Sequence, residues 1–167
     1  GINTITDNKG TGYINNIEEN AINNNGTLII SGGTIFSEEY YAVSNRGTFK
    51  MNGGNIKSYK GIENTGTLEI NDGTVEGLSA ESLNDNGRAT INGGLVTNKV
   101  TYAIIIPEGK TTINGGKIES TVAEAVKVSS TYYHEGDLVV NGGEITGKTN
   151  GIVNNDYLNT IVITGGR

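Results

Sequence analysis

The residue types that carry most enzyme chemistry are few in this chain and far apart. There is one histidine, His134, and no cysteine, so neither a thiolate metal site nor a disulfide framework exists. A nucleophile paired with His134 would have to be brought to it by the fold, because no local motif supplies one. The five aspartates (Asp7, Asp72, Asp85, Asp137 and Asp156) and the three arginines (Arg46, Arg88 and Arg167) are scattered along the whole length. Glycosidases hold two carboxyl groups about 5–10 Å apart. Glu119 and Glu144 are the pair to test against that, and with Lys117 beside them they read as an exposed charged face. Calcium-binding "GGxGxD" repeats are absent, and without glutamine no Thr–Gln ester or Cys–Gln thioester cross-link can form. No catalytic residue, metal site or cofactor is therefore expected.

Tyrosines remain. An aromatic plate with a polar tip suits the face of a sugar ring. Tyr132, Tyr133, His134 and Glu135 stand together in "SSTYYHEGD", while Tyr40, Tyr41, Tyr59 and Tyr102 recur elsewhere beside Glu38 and Glu39. All eight site candidates are ligand-binding candidates. A net charge of −6 with dispersed lysines excludes nucleic acid as a partner, since phosphate binding needs a basic stripe. No apolar run approaches the roughly 20 residues of a membrane-spanning helix, so direct membrane insertion is not expected.

The elements that must position these tyrosines follow from a repeat. "GTLIISGGTIFS" from Gly26 returns as "GTFKMNGGNIKS" from Gly47, "GTLEINDGTVEG" from Gly66, "GRATINGGLVTN" from Gly87, "GKTTINGGKIES" from Gly109 and "GDLVVNGGEITG" from Gly136. The first residues of the Gly-Gly or Asp-Gly pairs, Gly32, Gly53, Asp72, Gly93, Gly115, Gly142 and Gly165, are 21, 19, 21, 22, 27 and 23 apart. A period of this length signals stacked supersecondary units. Within each unit apolar residues alternate by twos, as in Leu28 and Ile30 or Phe49 and Met51, which predicts short strands with one buried face. A second segment supplies Ile35, Ile56, Val75, Val96, Ile118 and Ile145, and a third supplies Val43, Ile62, Leu83, Ile104, Val126 and Ile152. No helical apolar spacing appears. The reading is all-β: a right-handed parallel β-helix of about seven rungs, each of about 21 residues and three short strands. It places Lys50 against Glu69, Lys57 against Glu76 and Lys117 against Glu144 on neighbouring rungs, with no like charges adjacent. Asn52, Asn71, Asn92, Asn114 and Asn141 form one stacked column. Asn24, Asn45, Asn64 and Asn154 form an inward one, with Asp85, Ile106 and Val128 substituting midway. The long interval of 27 predicts an inserted loop at 129–136, carrying Tyr132 and Tyr133.

Rungs of the form "GTLxIxGGTIxS", filled with Asn and Thr, resemble the parallel β-helix repeat regions of bacterial cell-surface adhesins within the pectin-lyase-like superfamily. The resemblance implies a secreted or cell-surface protein attached to the wall through other regions, whose solenoid serves as a stalk or a binding surface for glycans or host surface proteins. It also implies flanking domains, so residues 1–167 are read as one solenoid domain of a longer protein, with an irregular first coil or cap over 1–25 and regular rungs over 26–167. The same superfamily contains polysaccharide lyases and glycoside hydrolases, which makes a carbohydrate-active enzyme the alternative. A purely structural spacer is the second alternative.

Overall fold

The structure, a computed structural model, describes residues 2–5, 12–130 and 134–167. Among these residues every regular element is a β-strand and every strand pairing is parallel, giving a β-solenoid of seven coils. Coil 1 comprises Ile2–Ile5, Tyr13–Asn16 and Ile22–Asn24; coil 2, Thr27–Ser37 and Val43–Asn45; coil 3, Thr48–Ser58 and Ile62–Asn64; coil 4, Thr67–Gly77 and Leu83–Asp85. Coil 5 comprises Arg88–Ile91, Leu95–Asn98 and Ile104–Ile106; coil 6, Lys110–Ile113, Lys117–Ser120 and Val126–Val128; coil 7, Asp137–Val140, Glu144–Gly147 and Ile152–Asn154. Thr160–Ile163 then lies on the first strand of coil 7.

The first and second segments of each coil belong to one sheet and the third to another. In coils 2 to 4 the first two segments run together as one 11-residue strand, whose pairing register slips at the glycine pair. The second residue of that pair explains why. From Gly33 to Gly166 it has φ between 76° and 101°, a region that L side chains rarely adopt. The first residue of the pair keeps an ordinary φ, so Asp72 can replace glycine there.

Equivalent residues stack coil on coil, about 4.8 Å apart. Leu28 pairs with Phe49, Phe49 with Leu68, and Leu68 with Ala89. The predicted columns from Ile35 to Ile145 and from Val43 to Ile152 are likewise in register. These columns form one core, continuous along the axis. Outside it, Lys50 meets Glu69 at 3.1 Å and Lys57 meets Glu76 at 3.4 Å, as the register requires. Lys117 does lie opposite Glu144, but its ammonium turns along its own strand to Glu119 at 2.9 Å, and Glu144 takes Arg167 at 2.7 Å.

Both asparagine columns are hydrogen-bonded ladders. On the outside each Nδ2 donates to Oδ1 of the preceding coil, from Asn141 through Asn114, Asn92 and Asn71 to Asn52, at 2.8–2.9 Å. Inside, Asn24 donates to Asn45, Asn45 to Asn64 and Asn64 to Asp85, each at 2.7 Å. The inner side chains also bind the corner that follows them. Asn24 Oδ1 accepts from Gly26 N–H, and Asn45 and Asn64 donate to the carbonyls of Gly47 and Gly66. Such bonds tie the side chain to the turn that follows it. At residues 25–26, 46–47, 65–66 and 86–87 the corner has two residues, whereas Asn154, which accepts from Asp156 N–H at 3.2 Å, is followed by the five-residue corner 155–159. Past Ile106 and Val128, which cannot make such bonds, the corner spans 107–109 and 129–136.

Candidate functional site

The opposite corner, between the second and third segments, has five residues in coils 1, 2, 4, 5 and 6, for example 38–42 and 78–82. Coil 3 has only three, Tyr59, Lys60 and Gly61, which accounts for the interval of 19. A short coil between two longer ones leaves a recess. It is a hollow of about 380 Å³ lined by Glu39 and Tyr40 from coil 2 and by Tyr59 and Lys60 from coil 3. The backbone fixes this pairing: Tyr59 N–H donates to Ser37 O and Lys60 N–H to Tyr40 O. Gly61 is obligatory in the shortened turn, since a Cβ there would sit 1.9 Å from Ser82 O.

Tyr40 and Tyr59 remain 44% and 40% exposed, so both residues are partly open to a ligand. Glu39 is exposed beside them as a hydrogen-bond acceptor, and Lys60 adds a donor. Lys60 also places its ammonium 5.5 Å from the centre of the Tyr41 ring. Tyr41 itself is half-buried. Burial and then the charge of Glu81 hold its phenol above the usual tyrosine range, so it stays protonated.

The other candidates are distributed differently. Tyr102 shares the Tyr41 column but stands three coils away, and Lys127 covers it at 4.6 Å from the ring centre, with Nζ 3.1 Å from its hydroxyl. Glu38 is exposed next to the recess, while His134 and Glu135 are exposed at the far corner. Tyr132 and Tyr133 lie outside the described residues. The loop that carries them is tied at both ends to the next coil. Ser130 Oγ donates to the Asp156 carboxylate in a short bond, and Asn159 Oδ1 accepts from Gly136 N–H at 3.0 Å. This places Tyr157, 92% exposed on residues 155–159, one coil above the inserted loop.

Sequence reasoning missed Lys60 and Tyr157. The interval of 19 signalled the first, because two absent residues must recess one corner. The second was signalled by "NNDYLNT", a further corner longer than two residues.

The described residues hold no group of three or more His, Cys, Asp or Glu placed to bind a metal. Compared with family models, curated proteins and solved structures, the chain matches none.

Proposed function

We propose that this chain is a non-catalytic solenoid module of an exported bacterial surface protein, an adhesin or its stalk, and that it binds carbohydrate at the Tyr40–Tyr59 recess. The observation that carries this reading is the recess itself. Two partly exposed tyrosines, an acidic residue and a lysine line one hollow where a shortened coil opens the wall. Sugar rings are held by such a combination of an apolar plate and fixed polar groups. The non-catalytic part of the reading draws support from Glu119 and Glu144, each engaged by a cation.

The test is a glycan array probed with the folded chain and with a Tyr40→Ala/Tyr59→Ala variant. The parent is expected to bind, and the variant to lose at least about tenfold in affinity, or about 1.4 kcal/mol. A Tyr132→Ala/Tyr133→Ala variant should bind as the parent does. Binding that survives loss of Tyr40 and Tyr59 but disappears with Tyr132 and Tyr133 would move the site to the inserted loop. A folded parent that binds no glycan would leave the spacer reading.

A further inference from the structure

Five exposed large apolar side chains lie along one edge of the solenoid. They are Ile17 in coil 1, Tyr40 in coil 2, Tyr59 in coil 3, Val100 in coil 5 and Val122 in coil 6. All belong to the corner between the second and third segments. That corner is stacked by main-chain bonds, from Glu38 to Asn16, Tyr59 to Ser37, Leu78 to Ser58 and Thr121 to Asn98, so its coils stay in step. Half-buried Leu78 supplies coil 4. Each of coils 1 to 6 thus carries one apolar side chain at this corner, spaced about 4.8 Å along the axis over about 24 Å and staggered across it: Ile17, Tyr59 and Leu78 at the first position, Val100 and Val122 at the second and Tyr40 at the third. Solvated polar groups border it on each coil, among them Glu18, Glu39, Ser79, Thr101 and Thr121. An apolar stripe of this kind marks an interaction surface.

Spacing and charge decide what fits it. An extended peptide places same-face side chains about 6.7 Å apart, out of step with the coils. A polyanion needs a run of cations. Here Glu18, Glu19, Glu38 and Glu39 outnumber Lys60, Lys99 and Lys148, and Lys99 is already paired with Glu76 at 3.0 Å. A staggered row of single apolar side chains with four carboxylates at one end does not suit a lipid surface. An uncharged, unbranched polysaccharide with equatorial linkages does fit, because its rise per sugar is close to the coil spacing and each ring offers an apolar face.

Building on the recess reading, we infer that the ligand is such a polymer, lying along this edge with about one sugar per coil and its strongest contacts at Tyr40 and Tyr59. The distinguishing experiment is calorimetry with β-1,4-linked gluco-oligosaccharides and their N-acetylglucosamine counterparts, from disaccharide to hexasaccharide. Parent, Val100→Asp/Val122→Asp and Tyr40→Ala/Tyr59→Ala proteins are compared, with α-1,4-linked oligomers as the axial control. Exposed substitutions of this kind leave a fold intact. For the parent, affinity should rise about tenfold or more from dimer to hexamer with the equatorial series and stay flat with the axial one. The Val100/Val122 variant should lose that rise while binding the dimer normally. A flat series, or a rise unchanged by Val100→Asp/Val122→Asp, overturns the stripe while dimer binding that depends on Tyr40 and Tyr59 keeps the recess reading. Dimer binding that is indifferent to those tyrosines, or no binding by either series, overturns both.

Discussion

Asp85 is the one acid among the described residues with no exposed surface. It ends the inner ladder, accepting from Asn64 on one oxygen and from the Thr111 hydroxyl on the other, both at 2.7 Å. Burial raises its affinity for a proton, and the bonds from Thr111, Asn64 and the Gly87 and Ala89 amides only partly offset that. The folded chain therefore holds this proton to higher pH than the unfolded chain does. Stability from this group is greatest below the ordinary aspartate range and falls as pH rises through the raised folded value. Asparagine at this position keeps the acceptor for Asn64 and carries no charge. Asp85→Asn should thus gain on the parent as pH rises from 4 to 7, by on the order of 1 kcal/mol in denaturant unfolding. A difference constant with pH, or one in the parent's favour near neutrality, would show that the carboxylate is not destabilising. Thr111 belongs to the same argument, since it stands where other coils bury Leu28, Phe49 or Leu68.

At the scale of the coil, the second glycine of each pair is fixed by its backbone conformation. Gly94 has φ +76°, and a Cβ there would lie 2.6 Å from Gly73 O of the preceding coil. Gly94→Ala should cost about 1–3 kcal/mol from the backbone conformation, with the close contact adding to it. Gly93→Ala tests a different term: its φ is ordinary, but its Cβ would meet Asn71 O at 2.3 Å. Thermal melts of Gly94→Ala at parental stability would sink the strain argument. Most of this scale was legible beforehand, because strands that bury one face repeat by twos and the aliphatic columns can be counted without coordinates. Corner shape was less legible. That two residues were missing between Gly53 and Asp72 was plain, but not that they came from the corner carrying Tyr59 and Lys60. Likewise, a column of equivalent residues placed Tyr41 with Tyr102, and only side-chain directions assign each to a covering lysine.

For the whole molecule, contacts run between successive coils, so each coil shelters the one beneath it. The chain has seven Asn-Gly pairs. In this dipeptide the glycine nitrogen attacks the side-chain amide, expels ammonia and leaves a ring that water opens to aspartate or isoaspartate. Asn92, Asn114 and Asn141 are held on both sides by the outer ladder, and Gly115 and Gly142 donate their N–H groups to Ile91 and Ile113 at 3.3 Å. Asn150 on coil 7 is exposed, and neither its side chain nor the Gly151 N–H has a partner among the described residues. Peptide mapping after long incubation at mildly alkaline pH should find modification at Asn150 well before Asn92, Asn114 or Asn141. Equal rates at all four would mean that the ladder breathes faster than the chemistry. If the order holds, stacking sets the shelf life of the molecule as well as its shape: damage starts at an asparagine outside the ladder, and the laddered ones age last.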